Sequence, residues 1–447
     1  MALKITVIGT GYLGATHAAA MAELGFEVLG LDVVPEKIEM LGRGQVPMFE
    51  PGLEELLRKH VAGIEGSTGR LRFTMDWAEV AEFGDVHFVC VNTPQKHGEY
   101  ACDMSYVDSA VESLAKHLRG PNLVVGKSTV PVGSADRLAA RILELAPGGG
   151  EVELAWNPEF LREGFAVDDT LHPDRIVVGV RSERAEGLLR EVYATPIADG
   201  SPFVVTDFPT AELVKTSANS FLATKISFIN AMAEVCEAAG GDVARLAEAI
   251  GHDDRIGKKF LRAGIGFGGG CLPKDIRAFM ARAGELGADQ ALTFLREIDS
   301  INMRQRGQMV ELARQALGGG SFLGKRVAVL GATFKPDSDD VRDSPALNVA
   351  GQIHLQGGQV TVYDPKGMGN ARRLFPTLGY ADSAIEAVRG ADVVLHLTEW
   401  REFRELDPKS LGEVAAARVI LDGRNALDPE QWRKAGWSYR AMGRPTA

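Results

Sequence analysis

The 447-residue chain is too long for one ordinary hydrophobic core and is expected to divide into two or three domains. Its formal net charge of -11 disfavours a nucleic-acid role that depends on a broad basic surface. The few cysteines, without close pairing, argue against a disulfide framework and a zinc site, so no metal is expected. Without a signal-peptide pattern or a run of about 20 apolar residues, the chain is predicted to be cytoplasmic, with no membrane partner.

Short apolar runs rich in β-branched residues alternate with amphipathic helical patterns in the first part of the chain. The predicted strands include KITVIG, FEVLGLD, RLRFTM, DVHFVCVNTP, NLVVGKSTVPVG, EVELAWNPEF and DRIVVGV. Such alternation is typical of parallel strands with helices on both faces. We therefore predict that residues 1–206 form a doubly wound, Rossmann-like α/β domain.

The first predicted strand leads into a turn with the spacing G-x-G-x-x-G, formed by Gly9, Gly11 and Gly14. These glycines permit a tight turn, close approach of a pyrophosphate and close packing of the following helix. Asp32 closes the next predicted strand, where it is expected to accept hydrogen bonds from the adenosine ribose and to repel a 2'-phosphate. The predicted cofactor is therefore NAD. Lys37 could flank the same ribose, or it belongs to a solvated helix face.

Two threonines follow later predicted strands, Thr93 in CVNTP and Thr129 in KSTVP. Ligands of open α/β sheets gather at the carboxyl ends of the strands, so both threonines are candidate cofactor contacts. A turn of this kind also forms without a ligand, and that alternative stays open.

A long apolar pattern without internal Gly or Pro begins at Thr210, after Pro209, and stops at Gly240. These start and stop signals predict one long helix. Because it is too apolar to face water on all sides, we expect it to join domains and to pack against a second subunit, giving a homodimer or a larger assembly. With the helical patterns that follow, it forms a predicted central segment over residues 207–317.

The sequence GGGS at residues 318–321 is the clearest linker. After it, the runs KRVAVLG, GQVTVYD, ADVVLHL and ARVILDG predict a second, smaller doubly wound domain over residues 321–447. Its first turn lacks a full G-x-G-x-x-G, so no second dinucleotide is expected there. The predicted fold class is α/β, with two Rossmann-like doubly wound domains joined by a long central helix and a helical segment.

Cys271 lies in the glycine-rich stretch GIGFGGGCLPKD. The glycines expose backbone amides, Lys274 can lower the pKa of the thiol, and Asp275 offers a carboxylate that can handle water. A cysteine nucleophile beside NAD predicts aldehyde chemistry: the thiolate adds to the aldehyde, hydride leaves the thiohemiacetal, and the thioester is hydrolysed. Cys90 and Cys236 lie in apolar patterns and are interpreted as small buried hydrophobes.

Seven motifs run in order across nearly the whole chain: GTGYLG, NTP, KSTVPVG, NPEFLREG, ELVKTSANSFLATKISFINAMAE, DDRIGKKFLRAGIGFGGGCLPKD and GATFKPDSDDVRDSPA. Together they resemble the motifs of the UDP-glucose/GDP-mannose dehydrogenase family. The resemblance implies an NAD-dependent, four-electron oxidation of UDP-glucose at C6 to UDP-glucuronate. Alternatives with the same chemistry are dTDP-glucose, GDP-mannose and UDP-N-acetylmannosamine. A two-electron hydroxyacid dehydrogenase and a non-enzymatic NAD sensor are less favoured.

The resemblance also implies roles for the reacting groups. It implies that Cys271 is the nucleophile, that Lys215 stabilises the developing oxyanion and that Asn219 donates a hydrogen bond to the reacting oxygen. Glu159 resembles the acid/base carboxylate, which acts through water with Thr129. Asp275 resembles the residue that orients the hydrolytic water. Which of these groups takes the alcohol proton stays open.

Further residues resemble the family's binding contacts. Glu163, Lys274 and Arg342 resemble cofactor contacts, although Glu163 is also explained as an acidic helix start. Arg255 resembles a residue that reaches into the neighbouring subunit's site, so a monomer is expected to be impaired. The full set of implied substrate contacts is Glu159, Phe160, Leu161, Arg162, Lys215, Asn219, Arg255, Phe260, Leu261, Arg262, Ala263, Gly264, Gly268, Phe334 and Lys335.

Overall fold

The computed structural model describes residues 3–445, so residues 1–2 and 446–447 of the two predicted end domains lie outside the described residues. The chain divides into two compact units. Unit 1 runs up to Ala218 and includes Arg277–Glu285. Unit 2 comprises Asn219–Ile276 and the chain from Leu286 onwards. None of the helices found among residues 3–445 is long and apolar enough to cross a membrane.

Unit 1 is built on a sheet with the strand order β3-β2-β1-β4-β5-β6-β7-β8. The strands are β1 (Lys4–Ile8), β2 (Glu27–Leu31), β3 (Leu71–Thr74), β4 (Val86–Val89), β5 (Leu123–Gly126), β6 (Glu153–Trp156), β7 (Ile176–Gly179) and β8 (Phe203–Thr206). The expectation of parallel strands holds for the neighbouring pairs except β6 with β7, where Trp156 pairs antiparallel with Gly179. The edge strand β8 is absent from the sequence prediction; its valines are largely exposed, so it lacks a buried apolar run.

Helices cover both faces of this sheet. They are α1 (Tyr12–Glu23), α2 (Pro35–Gly42), α3 (Leu53–His60), α4 (Trp77–Phe83), α5 (Ser105–Ala115), α6 (Ser134–Leu145), α7 (Ala166–Leu171), α8 (Glu183–Val192) and α9 (Ala194–Ala198). Strand β1 sends Val7 into the hydrophobic cluster that contains α1 and sends Ile8 into the one that contains α5 and α6. Because neighbouring strand residues point to opposite faces, the sheet is buried on both sides.

The long helix α10 (Phe208–Ala239) has 32 residues, so it is about 48 Å long. It begins close to the predicted position, where the Asp207 carboxylate accepts a hydrogen bond from Thr210 N at 2.7 Å. It ends where Gly240 adopts a positive φ of 77° and Gly241 N bonds to the Cys236 carbonyl. Both are features of a glycine-terminated helix. The boundary between the two units falls inside α10.

Unit 2 contains a parallel sheet with the order β11-β10-β9-β12-β13-β14. Its strands are β9 (Arg326–Leu330), β10 (Gln359–Tyr363), β11 (Gly379–Tyr380), β12 (Val393–His396), β13 (Val419–Asp422) and β14 (Ser438–Ala441). In chain order this repeats the arrangement of the first six strands of unit 1, which is the Rossmann order. The edge strands β11 and β14 are additional to the predicted four.

The remaining helices are α11 (Val243–Gly251), α12 (Leu272–Glu285), α13 (Thr293–Ala316), α14 (Pro345–Leu355), α15 (Met368–Leu374), α16 (Ala384–Val388), α17 (Arg401–Arg404), α18 (Pro408–Val414) and α19 (Pro429–Lys434). Strand β9 sends Val329 into one hydrophobic cluster and Leu330 into another, so this sheet is also covered on both faces. The predicted fold class, with two doubly wound domains and a long central helix, is confirmed.

Candidate functional site

The turn after β1 has the shape of a phosphate cradle. Gly9 has a φ of 85°, and a Cβ on Gly14 would lie 1.8 Å from the Gly9 carbonyl oxygen, so no side chain fits there. At Gly11 a Cβ would meet its nearest neighbour, the Asn92 side chain, only at 3.9 Å. Helix α1 begins directly after Gly11, and its first amides can bind an anion. This geometry fits a dinucleotide pyrophosphate.

Asp32 follows β2 at the same edge of the sheet and is held by its neighbours. Its Oδ2 accepts hydrogen bonds from Thr10 N at 2.9 Å and from Thr10 Oγ1 at 3.2 Å. Lys37 Nζ donates to the same oxygen at 2.8 Å. Oδ1 accepts from Val34 N at 3.1 Å. Lys37 therefore lies at the predicted ribose position as the ion-pair partner of Asp32.

Asp364 occupies the matching place after β10 in unit 2, but it is enclosed by protein donors. Its Oδ2 accepts from Ala332 N at 2.7 Å and from Trp400 Nε1 at 3.0 Å, and its Oδ1 accepts from Gly367 N at 2.7 Å. The residue is 1% exposed. Its acceptors therefore serve the fold.

Three predicted site residues follow neighbouring strands of unit 1. Thr93 is buried after β4, Thr129 is half-buried after β5, and Glu159 comes after β6. The carboxyl ends of these strands lie side by side, which is where ligands bind in such sheets. Glu159 forms a buried ion pair with Lys215 of α10, with Oε1 2.9 Å from Nζ, and its Oε2 accepts from Leu161 N at 2.8 Å. The structure thus joins two residues that are far apart in the sequence.

The segment after Glu159 is fixed by residues of unit 1. The Arg175 guanidinium lies 3.8 Å from the centre of the Phe160 ring. Arg162 is exposed and forms an ion pair with Asp169 at 2.5 Å. Its guanidinium is therefore directed at this carboxylate.

Glu50 holds the turn that carries Glu163, a role that the sequence analysis missed. It is 4% exposed and accepts from Gly164 N and Ala166 N, both at 2.7 Å. Tyr12, the first residue of α1, donates its hydroxyl to the same carboxylate. Burial, then the bond to Glu50, raises the pKa of Tyr12. The half-buried Glu163 is thereby linked to the start of the dinucleotide-binding helix.

Cys271 is exposed and immediately precedes Leu272, the first residue of α12. Its carbonyl accepts the hydrogen bond from Asp275 N at 2.8 Å, which closes the first helical turn. A helix N-terminus stabilises a thiolate, because its amides and dipole favour negative charge. Lys274 and the glycines were the predicted source of thiol activation; Pro273 in the first turn was the available signal for a helix start here.

Asp275 is 2% exposed and lies between two donors. Asn219 Nδ2 donates to its Oδ2 at 2.6 Å, and Lys274 Nζ donates to its Oδ1 at 2.5 Å. Asn219 was expected to donate a hydrogen bond to the reacting oxygen, whereas in the structure its amide donates to the Asp275 carboxylate. A side-chain amide carries two N–H groups, so a second bond to a ligand is compatible with this arrangement.

The glycine loop before Cys271 lies against residues 334–343. A Cβ on Gly268 would be 2.3 Å from the Asp343 carbonyl oxygen, so this glycine is required by the fold itself. Arg306, 1% exposed, bonds to Asp343 Oδ1 at 2.7 Å and to the Phe267 carbonyl at 3.3 Å. Arg424 donates to the Gly266 carbonyl at 2.8 Å. The buried Arg306 and the half-buried Arg424, neither of which was predicted from the sequence, position the loop.

The predicted substrate loop differs in exposure along its length. Phe260 has a positive φ of 64° and is 39% exposed, whereas Leu261 and Ala263 are buried. Arg262 extends outward, 62% exposed, and its guanidinium is 3.7 Å from Glu399. Gly264 N donates to Asn230 Oδ1 at 2.8 Å, which ties the loop to α10.

The other predicted contacts of unit 2 lie on its loops. Lys335 Nζ is 5.5 Å from the centre of the half-buried Phe334 ring. Arg342 is 60% exposed and pairs with Asp340 at 2.7 Å. The Arg255 side chain is 89% exposed and pairs with Asp253. Such exposed guanidiniums can be reached by a ligand or by another chain.

Three models of the UDP-glucose/GDP-mannose dehydrogenase family match successive parts of the chain. The NAD binding domain matches residues 3–197, the central domain residues 209–304, and the UDP binding domain residues 328–429. The UDP-glucose 6-dehydrogenase of Rhizobium meliloti (strain 1021) is 42% identical over 445 residues, which cover 99% of this chain and 100% of that protein.

Solved structures are similar over the same length. A UDP-glucose dehydrogenase from the hyperthermophilic archaeon Pyrobaculum islandicum has a TM-score of 0.89 at 36% identity, covering 99% of this chain and 98% of that one. A UDP-D-ManNAc dehydrogenase from Pyrococcus horikoshii has a TM-score of 0.86 at 27% identity and covers 100% of both chains. The same fold therefore occurs in proteins named for different UDP-sugars.

Proposed function

This chain belongs to the UDP-glucose/GDP-mannose dehydrogenase family, and on that basis we propose that it oxidises C6 of UDP-glucose to the carboxylate of UDP-glucuronate. The predicted family, the NAD cofactor and the assignment as an NAD-dependent oxidoreductase are confirmed by the family models and the full-length relatives. The substrate is taken from the relatives at about 40% identity, which are named for UDP-glucose. The observation that carries the proposed chemistry is Cys271, an exposed thiol at the N-terminus of α12.

The first oxidation requires a group that receives the alcohol proton and a cation that stabilises the oxyanion. The Lys215–Glu159 pair, at 2.9 Å, has both capacities: the ammonium stabilises the negative oxygen, and the carboxylate accepts a proton directly or through water. Bound NAD supplies the hydride acceptor for each oxidation. The cradle at Gly9, Gly11 and Gly14, with Asp32 beyond it, fits this cofactor.

The second oxidation requires a covalent step at Cys271. Its thiolate adds to the aldehyde carbon to form a thiohemiacetal, and loss of hydride leaves a thioester. Asp275, held by Asn219 and Lys274, is the carboxylate that orients the hydrolytic water. Hydrolysis releases the acid and returns the free thiol, so each sugar reduces two NAD.

The test of this function is the amount of NADH formed per nucleotide sugar consumed. UDP-glucose is compared with dTDP-glucose, GDP-mannose and UDP-N-acetylmannosamine under the same conditions. Two NADH per UDP-glucose, with much lower kcat/KM for the other sugars, would support the proposal. One NADH per sugar would exclude the acid-forming route, and a preference for another sugar would exclude UDP-glucose as the substrate.

We propose the three-part organisation of the sequence analysis, with domains at 1–206, 207–317 and 321–447. The successive family models support it. We also propose a cytoplasmic location, which is supported by the lack of a disulfide at any of the four cysteines, all within the described part of the chain.

We propose a homodimer formed through α10. Phe221, Phe228 and Val235 recur at seven-residue spacing on this helix and are 67%, 47% and 57% exposed. Residues at this spacing lie on one face of a helix, so they form an apolar stripe. A stripe of large apolar side chains is typical of a surface that is covered in an assembly. Arg255 is the residue proposed to reach the neighbouring subunit's site.

Replacing Phe221 and Phe228 together by Asp is expected to weaken the dimer about thirty-fold or more, because buried aromatic anchors dominate interfaces. Light scattering after gel filtration would then report the mass of a single chain at micromolar concentration. Leu355→Asp is the matched control, since Leu355 is 86% exposed on α14, away from the stripe. An unchanged mass for the double variant would contradict this interface.

Asp32→Ala is expected to raise KM for NAD about ten-fold or more, because charge-assisted bonds to the ribose are lost. Discrimination against NADP should fall as well, since the repelling carboxylate is removed. The comparison variant, Asp364→Ala, should leave KM for NAD unchanged but destabilise the fold by about 3 kcal/mol, because it orphans buried donors. Steady-state kinetics with NAD and with NADP, together with thermal unfolding, separate cofactor binding by Asp32 from the structural role of Asp364. Equal effects of the two variants on KM for NAD would contradict this assignment.

A further inference from the structure

A small cavity of about 50 Å³, partly open to solvent, lies at the carboxyl edge of the unit 1 sheet. Its lining includes Glu159 together with His17, Lys127, Asn157 and Tyr193. A buried site needs about 10–15 Å³ of such volume to hold one water molecule, and it needs polar partners. The cavity satisfies both conditions, and the carboxylate proposed for proton transfer forms part of its wall.

Lys127 is a buried ammonium in this wall. It follows β5 directly and is 7% exposed. Its Nζ donates to Asn157 Oδ1 at 2.9 Å and to Tyr193 Oη at 3.2 Å, and Tyr193 donates to the same Asn157 oxygen at 2.6 Å. These partners are neutral, whereas a buried charge is expected to have a counter-charge. Glu159 is the carboxylate beside it that also carries the proposed reaction.

Among the charged groups around the cavity, Glu159 remains as the counter-charge of Lys127. Asp169 is paired with Arg162, and the Arg175 guanidinium lies over the Phe160 ring. Asp174 also lines the cavity, but it is exposed, so solvent screens its charge.

The neutral titratable groups facing Lys127 stay neutral over the working pH range. Burial raises the pKa of the Cys90 thiol to about 12 and raises that of Tyr193. Burial, and then the charge of Lys127, lower the pKa of His17 well below its usual value.

His17 indicates where water binds. It is 1% exposed, and its ring lies edge-on to Phe88 with the centroids 4.4 Å apart. Within residues 3–445 neither of its ring nitrogens has a hydrogen-bond partner. A neutral imidazole carries one N–H donor and one acceptor, and buried polar groups are normally satisfied. Water in the cavity lined by His17 would give both ring nitrogens a hydrogen-bond partner.

We propose that this cavity binds ordered water, and that Lys127, acting through that water, is a positioning residue that sets a positive charge beside Glu159 and keeps its carboxylate directed at Lys215. The inference rests on the proposed function, since it concerns the carboxylate that serves the reaction there. Burial lowers the pKa of Lys127 to about 8, partly opposed by the charge of Glu159. The ammonium is thus charged at neutral pH and loses its proton as the pH rises through about 8.

The test compares Lys127→Met with Tyr193→Phe. Lys127→Met removes the charge while keeping the length of the side chain, and Asn157 and Tyr193 remain bonded to each other. Loss of a nearby positive charge raises the pKa of a carboxylate, so the acid limb of the kcat profile should move up by about one pH unit. We expect kcat to fall about ten-fold at pH values below the wild-type acid limb, with KM for NAD within about two-fold of wild type. Tyr193→Phe keeps the ammonium and should leave the acid limb in place.

A folded Lys127→Met protein with an unshifted acid limb would overturn the proposal, as would an equal shift in Tyr193→Phe. If Lys127→Met does not fold, a crystal structure of the wild-type chain at about 1.5 Å resolution decides instead. It should show water bonded to Lys127 Nζ, to His17 and to Glu159; a dry cavity would overturn the inference. The crystallographic result does not depend on turnover, so failure of the proposed function would be recognised separately by the NADH measurement.

Discussion

Cys271→Ser is expected to abolish formation of UDP-glucuronate, with a loss in kcat of about 10³-fold or more. A serine hydroxyl is far less ionised than a thiol at neutral pH, so it gains little from the amides and dipole at the start of α12. The variant keeps the direct hydrogen bonds that Asp275 accepts from Asn219 and from Lys274. The fold should therefore be retained.

Single-turnover experiments with excess enzyme should locate the block. The proposed route predicts that oxidation by Cys271→Ser stops before the free acid appears. Cys102→Ser is the matched control, because Cys102 is buried at 9% exposure in a loop of unit 1 and has no proposed chemical role. It should retain kcat within about three-fold. Steady formation of two NADH per sugar by Cys271→Ser would refute the thioester route and leave Cys271 as a structural thiol.

Lys215→Met is expected to lower kcat by about 10²–10³-fold, the usual cost of removing one group that stabilises an oxyanion. The loss also has an electrostatic part, because Glu159 keeps its buried position without its cation. Loss of a neighbouring positive charge disfavours an ionised carboxylate, so the remaining activity should increase toward alkaline pH relative to wild type. The measurement is kcat as a function of pH with saturating UDP-glucose and NAD.

A double-mutant cycle with Glu159→Gln tests whether the two residues act as a pair. Residues in direct contact are coupled, so the combined variant should lose much less than the product of the single losses. Lys225→Met is the control on the same helix; the half-buried Lys225 donates to the backbone carbonyl of Ile256 at 2.9 Å. It should change kcat by less than about three-fold. Additive effects of Lys215→Met and Glu159→Gln would show that the ion pair has no joint role in turnover.

Much of the fold could be read from local pattern, because buried parallel strands are short apolar runs separated by amphipathic helices. The missed strands β8, β11 and β14 all lie at sheet edges. β11 has only two residues, and two valines of β8 are largely exposed, so neither shows the period of a buried strand. The antiparallel pair of β6 and β7 is likewise a matter of tertiary arrangement that no local pattern encodes.

Site residues such as Cys271 and Asp32 were predictable because their residue type, in that motif, permits only a few chemical roles. Positioning groups were missed because their roles depend on contacts across the sequence. Lys127 stands two residues before Thr129 in the same motif, and a lysine directly after a buried strand was the available signal for a buried ammonium. Arg306 and Arg424 bond to carbonyls of the glycine loop, and nothing in their local sequence indicates this.

The positive φ of Phe260 affects how this sequence could evolve. A bulky residue at a φ of 64° stores about 1–2 kcal/mol of strain that glycine would not have. A single substitution by glycine is thus an accessible route to a more stable fold. The ring is 39% exposed and adds little to the core. Retention of Phe260 would therefore indicate selection for ligand binding and not for stability. Phe260 is therefore a position where drift toward thermostability and maintenance of turnover would compete.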